Sequence, residues 1–210
     1  MAGTNNNKLS FALGIDLGTT TVKVALVDTE TGEVIHTKSR ETQASILKEV
    51  GSLASEQDPD KIITALQFCV SGLPKEYLRK VVRMGISGQM HGVMLWKSTD
   101  AWTQNSLGRF GLSDTSTLYT WQDGRCTSDF IASLPQPSSH LRLATGHGCV
   151  TLFWLQQNQP ELLEKFDCCG TIQDFVVTML CGLKEPIMSV HNAASWGYFD
   201  TVNKTWNTDR

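Results

Sequence analysis

The sequence predicts a mixed α/β fold, on three observations. The first forty residues hold three segments of strand periodicity joined by turns, Asp58-Pro59 opens a helical segment that leads into another strand, and from Arg125 onward the periodicity is mainly helical. Residues 11–17 form an apolar run ending at Gly18, and residues 21–28 alternate, with Val22, Val24 and Leu26 on one face. Asp28-Thr29-Glu30-Thr31-Gly32 has turn chemistry and residues 33–39 alternate again. A three-stranded antiparallel meander follows, rather than a strand entering a helix.

Asp58 has a side-chain oxygen to cap free amides, and Pro59 is pre-set for a first helical turn. Ile62, Ile63, Leu66, Cys69 and Val70 then share one helical face, and Gly72 with Pro74 ends the segment. Residues 81–87 read as a buried strand, 93–96 as a second short one, and 117–121 as a return to the sheet. The polar stretch 97–116 has neither hydrophobic period and is expected to be a surface loop. Helices are expected at 126–134, 151–157, 160–166 and 173–181, with Gly182 as a terminator, and residues 195–200 look extended. Residues 1–10 are expected to be a disordered tail and residues 11–210 one domain, without repeats or an interdomain linker.

Composition excludes several classes. Hydrophobic residues make up 40% of the 210-residue chain, enough for a packed core, and the net charge is −3 with scattered basic residues. No basic stripe offers a footprint for a phosphate backbone, so nucleic acid is not an expected partner. The polar opening and the lack of a long apolar run predict a cytoplasmic protein with no membrane partner; oligomeric state is not set by the sequence. The six cysteines fall at irregular intervals with no Cys-x-x-Cys pair and read as reduced, mostly buried thiols. Cys168 and Cys169 have no histidine at ligand spacing, which favours packing over metal binding.

Asp16-Leu17-Gly18-Thr19-Thr20-Thr21-Val22-Lys23 spans the expected first hairpin turn. Gly18 allows close backbone approach, Thr19 and Thr20 offer hydroxyl and amide donors, Asp16 at a strand end suits magnesium, and Lys23 adds positive charge. The segment is not a Walker loop, since no Gly-Lys-Ser/Thr follows, nor a dinucleotide fingerprint, since no helix opens here. An ordinary Asp-x-Gly turn is the alternative. Ser87-Gly88-Gln89-Met90-His91-Gly92 follows a strand, where Gln89 and His91 supply the mixed donors and acceptors that a polyhydroxylated sugar needs. The alternative is a structural turn with His91 bonded in the core. In Trp121-Gln122-Asp123-Gly124-Arg125-Cys126, Asp123 could accept sugar hydroxyls, Trp121 offers a flat apolar face and Arg125 could orient Asp123. A helix cap at Asp123 with a surface ion pair to Arg125 is the alternative there.

The hairpin loop resembles the first phosphate loop of the actin, hexokinase and heat-shock-protein-70 superfamily. Ile15-Asp16-Leu17-Gly18-Thr19-Thr20, then Ser87 to Gly92, then Trp121 to Arg125 resemble in order the FGGY carbohydrate kinase family. Gly170-Thr171-Ile172-Gln173-Asp174-Phe175 and Asn192-Ala193-Ala194-Ser195-Trp196-Gly197 extend the likeness downstream. The resemblance implies a ribonuclease H-like mixed sheet with flanking helices, the first of two such domains and the sugar-binding one. It also implies phosphorylation of a sugar with ATP and magnesium, and the Gln-Met-His element suggests a ketose. Carried over, the family's pattern assigns Asp16 to metal, Gly18, Thr19, Thr20 and Lys23 to phosphate, and Gln89, Met90, His91, Trp121, Asp123 and Arg125 to the sugar. It places the general base, a second phosphate loop and the adenosine pocket in a further domain, so no catalytic residue is assigned here and this chain alone is expected to be inactive. Many family members carry Asp-Ala-Ser where Asn192-Ala193-Ala194-Ser195 stands, which leaves a charged role there without a residue.

Overall fold

The structure is a computed structural model that describes residues 9–47, 49, 52–138 and 141–207; residues 1–8 of the expected tail lie outside that set. In chain order the elements are β1 (Phe11–Leu17), β2 (Thr21–Asp28), β3 (Val34–Glu41), β4 (Glu56–Gln57), α1 (Pro59–Ser71), α2 (Lys75–Leu78) and β5 (Val81–Gly88). Then come β6 (Met94–Trp96), β7 (Trp102–Gln104), β8 (Phe110–Leu112), β9 (Leu118–Tyr119), α3 (Ser128–Ser133), α4 (Gly148–Asn158), α5 (Pro160–Leu163) and β10 (Cys168–Gly170). The chain closes with α6 (Ile172–Cys181), α7 (Val190–Ser195), β11 (Phe199–Asp200) and β12 (Thr205–Trp206). The residues fall into two compact units: the chain up to Thr42 with Thr64–Gly88, and Gln43–Ile63 with the chain from Gln89 onward. The boundaries fall just after β3, inside α1 and at the end of β5.

The first unit is the expected meander with a fourth strand added in parallel, in the order β3-β2-β1-β5. Alternation puts Phe11, Leu13, Ile15 and Leu17 of β1 and Val22, Val24 and Leu26 of β2 on one buried face. Leu66 and Cys69 of α1 are buried in the same unit, where the Cys69 thiol donates to the Val22 carbonyl at 3.7 Å. Asp58 supports the helix start by accepting the Asp60 N–H at 2.9 Å. β5 departs from expectation. Among the described residues it is an edge strand paired with β1 alone, and Val82 and Met84 are 62% and 54% exposed. Its apolar sequence describes a strand able to be buried, not one whose faces are covered in this chain.

The second unit holds short strands and helices around Val93, Leu95, Tyr119, Leu155 and Trp196. The expected loop 97–116 contains a hairpin, β7–β8, whose turn is built by Asn105: its side-chain oxygen accepts the Leu107 and Arg109 N–H groups, and Gly108 takes φ +75°. Three-residue strands are too short to display a period. The helix expected from Cys126 begins at Ser128, because the Thr127 hydroxyl accepts the Phe130 N–H. Residues 190–195 are helical, capped by the Ser189 hydroxyl on Asn192, so the extended reading of 195–200 holds only for Phe199–Asp200. The strand expected at 117–121 shrinks to Leu118–Tyr119, and the helix expected at 160–166 to Pro160–Leu163. Cys69 and Cys126 are buried, Cys181 is exposed and the remaining three lie between. Burial pushes the Cys126 and Cys169 thiols up to about 11 and Cys149 up to about 12. Among the described residues no helix is long and apolar enough to cross a membrane.

Candidate functional site

In the first unit, Gly18, Thr19 and Thr20 form the bend between β1 and β2. A Cβ on Gly18 would stand 2.8 Å from the Thr21 carbonyl oxygen, closer than real Cβ contacts, so the bend requires glycine. The Thr20 carbonyl accepts the Thr42 N–H at 2.9 Å and the Thr42 hydroxyl at 3.3 Å, which ties the bend to the end of β3. Asp16 lies on the sheet face opposite buried Ile15 and Leu17, across from Lys23 in the β1–β2 register. Lys23 Nζ is 3.7 Å from Asp16 Oδ2, and the two side chains are 63% and 44% exposed. A groove of about 1000 Å³ over this face is lined by Asp16, Lys23, Ser39, Ser87 and the small residues Gly14 and Ala25. A half-exposed carboxylate paired, among the described residues, only with a flexible ammonium keeps its oxygens available to a hard cation, so the donor chemistry fits magnesium.

In the second unit, Gln89, Met90 and His91 leave the end of β5, all partly buried. Gln89 Nε2 donates to Gln57 Oε1 at 2.9 Å, and the Gln89 carbonyl accepts from Gln173 Nε2 at 3.2 Å. His91 has φ +71°, a left-handed conformation that costs a non-glycine residue on the order of 1–3 kcal/mol. Two contacts hold it there. Its Nδ1 is 3.3 Å from the Ser195 carbonyl oxygen, and its ring stacks on His147 at 4.5 Å between centroids and 9° between planes. Burial, reinforced by His91, lowers the His147 pKa to about 4, so that ring is neutral near neutral pH.

Asp123 is 1% exposed and caps no helix. Its Oδ2 accepts the Ser55 N–H at 2.9 Å and Arg125 Nη2 at 2.8 Å, while Oδ1 accepts the Arg125 backbone N–H at 3.1 Å and Nε at 3.0 Å. The ion pair is buried rather than superficial, and it has a third member: Arg125 Nη2 also lies 3.0 Å from Glu56 Oε1. The guanidinium is flanked by the Tyr119 and Trp154 rings. Burial works against the Arg125 charge, but Asp123 and Glu56 more than offset it and hold its pKa above the ordinary value. Trp121 is 46% exposed on the adjoining turn.

The two-residue strand β4 joins these two segments: Glu56 pairs with Arg125, and Gln57 accepts from Gln89. Neither residue, nor His147, was singled out by sequence reasoning. The signal available for the first two was a polar pair directly before the Asp58-Pro59 helix start. His147 stands between two glycines in a segment with no other polar pattern. Downstream, Asp174 and Thr171 form a capping box, and Asn192 Nδ2 donates to Asp174 Oδ1 and Thr171 Oγ1, each at 3.3 Å. Burial raises the Asp174 pKa. An aspartate at position 192 would put a second carboxylate against it, so the asparagine has a structural purpose here.

An antiparallel meander with a parallel fourth strand and a glycine bend at its first turn is the mixed sheet that the resemblance to the ribonuclease H-like fold implies. A profile of the FGGY family of carbohydrate kinases, N-terminal domain, matches residues 11–209, and the chain belongs to that family. It is 50% identical over 208 residues to the sedoheptulokinase of Homo sapiens, covering 94% of this chain and 44% of that protein. It is 28% identical to the xylulose kinase of Escherichia coli (strain K12), covering 93% of this chain and 38% of that one. Among solved structures, Plasmodium falciparum glycerol kinase with ADP superposes with a TM-score of 0.75 at 22% identity, covering 95% of this chain and 39% of that one. That likeness establishes the shared fold. The chain thus spans less than half the length of the curated relatives it matches.

Proposed function

We propose that this chain is the sugar-binding and first-phosphate-loop portion of an ATP-dependent ketose kinase that converts sedoheptulose to sedoheptulose 7-phosphate, feeding the pentose phosphate pathway in the cytoplasm. The observation that carries the proposal is 50% identity to a sedoheptulokinase over nearly the whole chain, with the sugar-site segments inside the aligned length. In this reading Gln89 and His91 bond ketose hydroxyls, Met90 and Trp121 supply apolar surface, and Asp123 and Arg125 fix the wall of the site through Glu56. Gly18, Thr19 and Thr20 donate to the phosphates of ATP, Lys23 adds charge, and Asp16 holds magnesium directly or through water. Bound magnesium supplies neutralisation of phosphate charge, and the side chains supply position, which is most of what phosphoryl transfer demands. The terminal primary hydroxyl of the ketose is the acceptor, and the group that takes its proton lies in the family's second domain.

The likeness to xylulose kinases supports a second acceptor. ADP release by the complete protein over a ketose panel separates the two. Sedoheptulose should give a kcat/KM at least ~10-fold above xylulose, a discrimination within reach of a few hydrogen bonds. Equal or greater turnover of xylulose would move the assignment, and no turnover of any ketose would leave a non-catalytic sugar-binding form.

A further inference from the structure

We infer that His147 is a positioning residue: it holds the His91 ring so that Nδ1 carries the proton and the bare Nε2 is presented to a ketose hydroxyl as an acceptor. The inference rests on the proposed sugar-binding role of His91 and goes on to name which ring atom acts and what sets it.

A carbonyl oxygen only accepts, so the Nδ1 that lies 3.3 Å from the Ser195 carbonyl must carry hydrogen. Neutral imidazole has one N–H, which leaves Nε2 as a lone pair. Ser195 is the last residue of α7, where a helix leaves carbonyls without intrahelical partners, and His91 satisfies one of them. One hydrogen bond fixes an atom but not a ring plane. The parallel His147 ring, 4.5 Å away, blocks rotation about the Nδ1–oxygen line.

His147 is itself anchored by the same stretch of chain. It precedes α4, whose first residue Gly148 packs so closely on the Trp196 indole that no Cβ fits between them. Trp196 directly follows Ser195, so one dipeptide aligns both histidines. The His147 side chain makes no capping bond, and among the described residues its buried Nδ1 has no partner. A histidine that neither caps its helix nor satisfies its buried nitrogen contributes its flat face, and the group on that face is His91.

The test uses the complete protein, ketose kinetics and the imidazole ¹⁵N signals of His91. In the wild type, Nε2 of His91 should resonate as an unprotonated ring nitrogen. His147→Phe keeps a flat ring and should leave both that signal and the ketose KM within about twofold. His147→Ala should raise the ketose KM about tenfold, the size of one ordinary hydrogen bond, with kcat within about threefold and the His91 signals averaged between tautomers. A protonated Nε2 in the wild type overturns the inference whatever the variants do. So does an unchanged KM in a folded His147→Ala protein when His91→Ala raises it. An unchanged KM in His91→Ala would instead remove the sugar-binding role on which the inference stands.

Discussion

Asp16 and Asp123 each face a basic side chain, yet Lys23 stands 3.7 Å from the first with 63% of its side chain exposed, whereas Arg125 closes on the second at 2.8 Å behind a 1% exposed carboxylate. The protein leaves Asp16 unsaturated and saturates Asp123 with Ser55 and Arg125. That difference matches the roles proposed for the two regions. A carboxylate that is to hold a cation must keep free lone pairs, while one that shapes a pocket is useful when every lone pair is committed.

Arg125→Ala attacks the committed side of this comparison and should have the largest effect. Removing the shared cation leaves the buried Asp123 and Glu56 without an opposite charge, and breaking such a cluster costs about 3–5 kcal/mol. Denaturant unfolding measures it, and a loss below about 1 kcal/mol would show that the carboxylates do not depend on Arg125. Asn192→Asp, beside the buried Asp174, should cost on the order of 1–3 kcal/mol at neutral pH. The Asp174 pKa is raised in the fold, so the stability it contributes is complete below the ordinary 3.8 and is lost as pH rises through the raised value. The Asn192→Asp penalty should therefore shrink as pH falls, and a penalty independent of pH would contradict the pairing.

A smaller effect belongs to His147. Its pKa falls from 6.5 to about 4 in the fold, so the unfolded chain binds the extra proton between those values. That contribution to stability is complete above 6.5 and is lost as pH falls toward 4. Urea midpoints across this range should fall less steeply for His147→Phe than for the wild type. Lys23→Ala, on the open side of the comparison, should change stability by less than about 1 kcal/mol, as exposed pairs do. A larger loss by the same unfolding measurement would make Asp16–Lys23 a structural pair.

The parts of the fold legible in the sequence are those with a period. The apolar run of β1, the alternation of β2 and the apolar face of α1 gave their elements within a residue or two, because seven or more residues suffice to show a pattern. β4 and the β7–β8 hairpin have two or three residues per strand and show none. The burial of β5 was misread because an edge position depends on neighbours that local sequence does not name. In the site, Gln89, His91, Asp123 and Arg125 were visible as side-chain chemistry after strands. Their partners were not: Gln57 is 32 residues from Gln89, Ser55 is 68 from Asp123, and Ser195 is 104 from His91. Residue type can announce a polar group, but only the fold shows which of its lone pairs are already taken.

The division of labour between the two carboxylate regions is tested most directly by ketose affinity, measured calorimetrically in the complete protein for Asp16→Ala and His91→Ala. Asp16→Ala should bind sedoheptulose within about twofold of the wild type while turnover is lost, and His91→Ala should bind it about tenfold more weakly. Equal weakening in the two variants, or full turnover in Asp16→Ala, would contradict the assignment of metal to one region and sugar to the other.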